Sequence, residues 1–290
     1  TFGTLTELTD ETLPEDPDLV AWSETAFVPN IRKWGAMDPE EHSLAALVHD
    51  FCAYQESIGT WLITGNDDYE EVTLPDGSTQ RNHYNATVFF SDEGEHVETY
   101  RKIRLVPFTE YFPYKEQLPW LYGLLEDFDA TLWEKGDVPV VFQHPKAAFC
   151  TPICFEDSFP GEMRMFVNNG AEMILNLSND FWSRTEGEGE QHFANSLFRS
   201  VEHRRPLLRS TASGKTAYVA PTGEVRAELP YYIEDTLVVD AALYGAPKTI
   251  YGMLGDWLPK AGLVLTVVLL VLPASMLARS PIKGPGRKQF

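Results

Sequence analysis

Apolar residues along this chain fall into short runs closed by turn residues, separated by stretches with a helical period. Leu19 to Trp22 is one such run, closed by Ser23-Glu24-Thr25, and predicts a strand that delivers a carboxylate at its end. From Pro39 onward Leu44, Leu47, Val48, Phe51 and Cys52 recur on a 3.6-residue period and predict a helix. Gly59 to Gly65 and Tyr84 to Phe90 read as buried strands, with a turn at Leu74 to Gly77 between them and a polar turn from Ser91 to Glu95 after them. Tyr100 to Val106 is strand-like with basic residues, stopped by Pro107. Further strands are expected at 138 to 150, 173 to 178, 207 to 210, 216 to 220 and 236 to 240, with helices near 162 to 169 and 191 to 203. Pro221 to Gly223 reads as a hairpin turn, Pro160-Gly161 as a turn. Strands alternating with helices in this way predict a layered α/β domain.

The terminal stretch breaks that pattern. Ala261 to Ala278 carries no charge over 18 residues, and as a helix it is about 27 Å long, close to the thickness of a bilayer core. Basic Arg279, Lys283, Arg287 and Lys288 follow it. A membrane-spanning helix at 259–279 is therefore expected, with a basic cytoplasmic tail at 280–290 and the body, 1–258, on the outer face.

Charge agrees with this division. The net charge is −20, and no Asp or Glu occurs after position 258. Setting aside Lys260 and the four basic residues of the tail leaves 18 basic against 43 acidic side chains in the body, a net −25. Such a surface repels phosphate backbones, so nucleic acid is not an expected partner. Cys52, Cys150 and Cys154 form neither a disulfide framework nor a zinc pattern, and the histidines are scattered, so no metal or cofactor is expected. The opening TFGTLTELTDETLPEDPD contains no signal segment, and an exported body implies a native chain that begins upstream.

Three expected strand ends carry reactive groups: Glu24, Lys102 and Cys154, the last within Thr151-Pro-Ile-Cys-Phe-Glu-Asp157. A carboxylate can accept a thiol proton, and an ammonium stabilises both a thiolate and an oxyanion. Taken singly each has a plainer reading. Cys154 fits a buried structural thiol, Glu24 a helix N-terminal carboxylate, and Lys102 one member of a solvated basic face with Arg101 and Arg104.

Together with WSETAFVP (22–29), YRKIRLVPFTEYFP (100–113), ICFED (153–157), LSNDFW (177–182), QHF (191–193) and RRPLLRSTASGKTAYVAPTGE (204–224), these residues resemble the nitrilase, or carbon-nitrogen hydrolase, superfamily. More narrowly the chain is similar to the membrane branch of that superfamily, the apolipoprotein N-acyltransferases. The resemblance implies an αββα sandwich followed by a transmembrane helix in a bacterial inner membrane, with the sandwich on the periplasmic face and its first strand lying upstream of Thr1. It implies Glu24 as general base, Lys102 as oxyanion and thiolate stabiliser, Cys154 as nucleophile, and Glu110 and Glu156 in support. The Phe155 backbone N–H is implied as an oxyanion donor beside Lys102. The implied reaction takes an acyl chain from a phospholipid as a Cys154 thioester and gives it to the α-amino group of a diacylglyceryl-modified lipoprotein. Departures from the family pattern stand at Ser23, Thr109, Phe155 and Ser183-Arg184.

Lipid handling has its own candidates. Tyr111, Trp120 and their apolar neighbours from Phe112 to Leu125 suit either an interfacial loop or a core cover. Phe181, Trp182 and the segment Thr185 to Glu190 suit either a glycine-hinged lid or a solvated loop. Two rival functions remain open on these residues, an anchored amidase with water as acceptor and an inactive anchored binding domain.

Overall fold

Successive residues of one strand look in opposite directions, and this separates two cores. Leu62, Val88 and Phe90 point into one apolar cluster with Trp22, Phe27 and Phe51, while their neighbours Ile63 and Phe89 point into another with Phe142, Phe149, Ile174 and Leu207. The computed structural model describes residues 1–115, 117–120, 123, 132–181, 185–245 and 247–278, the last stretch with side chains to 272.

The first sheet runs β1 (Leu19–Ala21), β2 (Trp61–Thr73), β3 (Thr79–Phe90), β4 (His96–Arg101) in spatial order, with β1 parallel to β2 and the rest antiparallel. The second holds β5 (Phe142–His144), β6 (Ala147–Cys150), β7 (Met173–Ser178), β8 (Leu207–Thr211), β9 (Ala217–Val219) and β10 (Val225–Glu228), in the order β10-β9-β8-β7-β6-β5. The second cluster fills the space between the sheets, and Thr87 and Thr151 join hydroxyls across it at 2.6 Å. Each large side chain fully buried there contributes roughly 1.5–3 kcal/mol.

Helices complete the outer layers. α1 (Phe2–Thr12) and α3 (Ser43–Ile58) cover the first sheet, where the Phe2 ring meets Trp22, Phe27, Phe51 and Tyr54 edge-on. α2 (Ile31–Gly35) is capped by the Asn30 side chain, which accepts from the Lys33 N–H. α4 (Pro160–Asn168) and α5 (Glu186–His203) bring Met163, Phe166 and Phe193 to the second-sheet core. The order is helix, sheet, sheet, helix, the expected αββα sandwich.

Several sequence expectations need correction. α1 lies in the opening segment, for which no element was expected, and Phe2, Leu5, Thr9 and Thr12 share one helical face of it. Pro160 opens a helix at its first position, where a missing N–H costs nothing, so Pro160-Gly161 is not a turn. Cys52 is exposed, off the buried face of α3 formed by Ala45, Val48, Phe51 and Gln55. The strand read across 138–150 is two strands, β5 and β6, paired antiparallel. β4 stops at Arg101; the Lys102 N–H still meets the Asn85 carbonyl of β3 at 2.8 Å, and beyond it backbone N–H groups turn from the sheet to buried carboxylates, Ile103 and Arg104 to Glu156 and Val106 to Glu110. Thr236–Asp240 forms no strand ladder among the described residues.

After α6 (Ile250–Leu254) comes α7 (Trp257–Ala278), 22 residues long. Its described large hydrophobic side chains are exposed, from Val268 at 43% to Leu270 at 69%. Among the described residues no helix is long and apolar enough to cross a membrane, so the span expected at 259–279 is not shown. The tail 280–290 lies outside the described residues.

Candidate active site

Glu24 follows β1 in a tight turn whose next residue, Thr25, has a φ of 55°. Gly65 on β2 permits that turn. A Cβ there would stand 2.8 Å from the Glu24 Cα and 3.0 Å from the Thr25 N, both backbone atoms that cannot swing aside. The Glu24 carboxylate is buried and accepts two hydrogen bonds, 2.8 Å from the Asn85 side-chain amide and 3.0 Å from the Asn179 backbone N–H. Asn85 and Thr87 share a strand face with Phe89, looking into the space between the sheets, so Asn85 carries the polar end of that interface.

Lys102 stands one residue beyond β4 and is fully buried. Its ammonium donates to Glu110 Oε1 at 2.7 Å and lies 3.8 Å from Glu24 Oε1. Asn85 also donates to Glu110 Oε1 at 3.2 Å, which ties both carboxylates to one amide. A buried lone cation is prohibitively expensive, and the two carboxylates are what allow this one to exist.

Cys154 begins a single 3₁₀ turn, Cys154–Ser158, and is held at φ 53°, a left-handed conformation unusual for a side chain with a Cβ. Asn176 on β7 fixes that backbone by donating to the Pro152 carbonyl at 3.1 Å and the Cys154 carbonyl at 2.8 Å. Strain of this kind costs on the order of 1–3 kcal/mol and is retained only where the surroundings impose it. Glu156 supplies much of that constraint. It accepts from the Ile153 N–H at 2.7 Å within the cysteine turn, and from the Tyr100 hydroxyl and the Ile103 and Arg104 N–H groups beside Lys102. One carboxylate thus clamps the lysine segment to the cysteine segment.

The structure brings Glu24, Lys102, Cys154, Glu110 and Glu156 together, and their charges act on one another. Burial raises the Glu24 carboxyl above its ordinary value, against the pull of Lys102 and of the Asn85 bond. Burial also lifts the Cys154 thiol, and the Glu24 charge adds to this, while Lys102 opposes it. For Lys102 burial acts downward, yet Glu24, Cys154, Glu110 and Glu156 together raise it. Glu156 is pushed up to about 7, chiefly by burial, with Lys102 and its hydrogen bonds acting against the rise. A neutral thiol next to a carboxylate of increased basicity and a permanent ammonium can lose its proton as it attacks, and the ammonium can take up the charge that develops. Among the described residues no group of three His, Cys, Asp or Glu side chains is arranged to hold a metal ion.

The other sequence candidates are differently placed. Phe155 is partly buried against the inter-sheet core, and its ring meets Phe159 edge-on at 4.7 Å. Tyr111 bridges to Pro107, in a segment where Phe108, Phe112 and Tyr114 form an aromatic group. Trp120 and Phe181 are exposed at 69% and 62%. Trp182, Ser183-Arg184, and most of the apolar stretch 121–131 lie outside the described residues. Glu186 to Glu190 is neither lid nor loop; it is the start of α5, where acidic Glu186 and Glu188 suit the positive helix end and Gly189 lets the Tyr231 ring approach.

Asn85, Asn176 and Asn179 were not singled out from the sequence. A signal was available: Asn176 and Ser178 interrupt the apolar run MILNLS at a spacing of two, on a strand whose six residues are all buried. Buried polar residues on one strand face demand partners, and here the partners are the cysteine turn and its surroundings.

The carbon-nitrogen hydrolase family model matches residues 1–249. The chain is 38% identical over 277 residues to apolipoprotein N-acyltransferase 1 of Treponema pallidum, covering 93% of this chain and 50% of that one. It is 35% identical to apolipoprotein N-acyltransferase 1 of Treponema denticola over 93% of this chain and 52% of the relative. The chain therefore spans about half the length of these relatives. Among solved structures, a carbon-nitrogen hydrolase from Helicobacter pylori aligns with a TM-score of 0.54 at 16% identity, over 78% of this chain and 80% of that one. A mutant of the Nesterenkonia AN1 amidase from the nitrilase superfamily aligns with a TM-score of 0.53 at 16% identity, over 79% and 81%. Likeness at this identity speaks for the fold alone.

Proposed function

The chain belongs to the carbon-nitrogen hydrolase family, and from that premise we propose that it is the catalytic part of an apolipoprotein N-acyltransferase, with Cys154 as nucleophile, Glu24 as base and Lys102 as electrostatic stabiliser. One observation carries the chemistry: a backbone-strained cysteine is coupled to a buried lysine held between two carboxylates.

In the first half-reaction Glu24 takes the Cys154 proton as the sulfur attacks an ester carbonyl of a phospholipid. The tetrahedral oxyanion is met by the Lys102 ammonium, with the Phe155 backbone N–H as second donor. Collapse breaks the ester C–O bond, the proton on Glu24 passes to the departing lysophospholipid oxygen, and an acyl thioester remains. In the second half-reaction the α-amino group of a diacylglyceryl-modified lipoprotein attacks the thioester, Glu24 accepts its proton, and the thiolate leaves as the amide forms. Glu110 keeps Lys102 in place throughout, and Glu156 keeps the two segments in register.

The setting fits a lipid substrate. α7, with its uncovered apolar side chains and the basic sequence beyond it, supports attachment to a bacterial inner membrane with the sandwich on the periplasmic side and the tail cytoplasmic. Exposed Phe108, Tyr114, Trp120 and Phe181 support an aromatic rim that meets the lipid interface.

The test is the intact mass of the detergent-purified protein after incubation with phospholipid vesicles, beside Cys154→Ala. A hydroxylamine-labile acyl adduct is expected in the parent alone. Absence of the adduct in a parent that melts cooperatively overturns the proposal.

A further inference from the structure

A buried ionic group stands behind the cysteine, and the mechanism above leaves it without a task. His192 on α5 lies between two carboxylates, its Nδ1 3.0 Å from Asp180 Oδ1 and its Nε2 3.1 Å from Asp157 Oδ1. Arg209 on β8, fully buried, is 2.5 Å from Asp157 Oδ2 and 3.7 Å from Asp180 Oδ2. The backbone at Gly214 closes over Asp180 so tightly that a Cβ there would collide with its Oδ2. Two carboxylates, one imidazolium and one guanidinium sum to zero charge in a site shut off from water.

The link to the cysteine is Ser178. Its hydroxyl donates to Asp180 Oδ1 at 2.9 Å, and the parallel bridge between Leu177 and Ile153 sets it beside Cys154, whose thiol is the other group it acts on. A hydroxyl has one hydrogen, so it can serve only one of these acceptors at a time. Asp180 Oδ1 keeps a second donor, His192 Nδ1, whichever way the hydroxyl points.

We propose that Ser178, Asp180 and His192 are positioning residues for the nucleophile: as Cys154 gives its proton to Glu24, the Ser178 hydrogen turns from Asp180 to the new thiolate, and His192 with Arg209 keeps Asp180 in balance. One O–H to oxygen hydrogen bond is exchanged for one O–H to sulfur hydrogen bond, and the only proton transferred is that of the thiol. Cys154 faces Glu24 and Lys102 from the first sheet and Asp180 from the second, with Glu156 of its own turn acting through Lys102. His192 faces Asp157, Asp180 and Arg209. Burial works against the His192 charge, yet the two carboxylates raise it to about 9, so it is cationic at neutral pH. Burial likewise works against the Asp180 charge, and His192 and Arg209 overcome it to hold the carboxyl below its usual range.

The inference rests on Cys154 being the nucleophile, and its test needs no acyl donor. The rate at which iodoacetamide alkylates Cys154 is followed against pH in the full chain carrying Cys52→Ser, with the modified peptide identified by mass. His192→Gln leaves one net negative charge behind the sulfur, so the profile moves to higher pH and the rate at pH 7.5 falls about tenfold for a shift of about one unit. Asp180→Asn leaves one net positive charge, and the profile moves to lower pH by a similar amount. Ser178→Ala slows alkylation, and Ser178→Thr, which keeps the hydroxyl, restores it.

General loosening of the fold moves all these variants the same way, so opposite shifts for His192→Gln and Asp180→Asn support the inference. Shifts of one sign, or none, overturn it. If His192→Gln does not fold, the Asp180→Asn shift and the Ser178 pair decide the matter alone. A parent that alkylates as expected but forms no acyl adduct overturns the acyltransferase reading while leaving this one standing.

Discussion

The Tyr100 hydroxyl sits 2.9 Å from both carboxylate oxygens of Glu156, where the end of the first sheet meets the cysteine turn of the second. The same carboxylate also takes three backbone N–H groups, those of Ile153, Ile103 and Arg104. Glu156→Ala leaves these donors buried and unpaired. Unmade bonds of this kind cost about 1–3 kcal/mol each, so with four donors stranded a loss of at least about 4 kcal/mol is expected in urea titration. Glu156→Gln keeps one acceptor oxygen and is expected to lose less than half as much.

Gly65→Ala separates geometry from stability. Its Cβ meets backbone atoms of Glu24 and Thr25, so the turn that aims the carboxylate must shift. Overpacking of this kind costs about 1–3 kcal/mol. Because displacement by about 1 Å can cost a hundredfold in rate, acyl-adduct formation is expected to fall at least that far while the thermal transition stays cooperative.

His192 makes stability depend on pH. Its folded value of about 9 lies above the ordinary 6.5, so the folded state holds the proton more tightly. The resulting stabilisation is complete below about pH 6.5, shrinks as pH rises through that window and is lost above about 9. At 1.36 kcal/mol per unit it is on the order of 3 kcal/mol. The stability gap between the parent and His192→Gln is therefore expected to narrow between pH 6 and pH 9.5; a constant gap in urea titrations across that range contradicts the assignment.

The Thr87–Thr151 hydroxyl pair is a strut between the sheets. Thr87→Val strands the Thr151 hydroxyl and is expected to cost about 1–3 kcal/mol. Adding Thr151→Val removes the orphan, and the double variant is expected to regain most of that loss in a double-mutant cycle.

Much of this was legible in the sequence because strands with buried faces announce themselves locally. The runs before Glu24 and through MILNLS became β1 and β7, and the segments carrying Glu24, Lys102 and Cys154 lie together in space. What was not legible depends on pairing between distant segments. Beyond β4, Glu156, more than fifty residues away, takes the N–H groups of Ile103 and Arg104. The Asp157–His192–Asp180–Arg209 group joins four separate segments, so no local spacing reveals it, and His192 looked merely scattered. Glu186 to Glu190 looked like a loop because its glycines are poor helix formers, yet acids at a helix start are favoured by the backbone dipole. Thr236–Asp240 has a strand's composition but no ladder, since a strand exists only where an edge accepts it.

Glu24, Asn85, Lys102 and Glu110 stand on the first sheet and the loops that leave it, while Cys154, Asn176 and Asn179 stand on the second. Neither half holds a working set by itself. While the chain is still folding, or after it begins to come apart, the thiol has no base beside it and the base no cation. The seam between the sheets is thus an interlock: Glu24 and Lys102 come to lie beside Cys154 only when the two sheets are packed together.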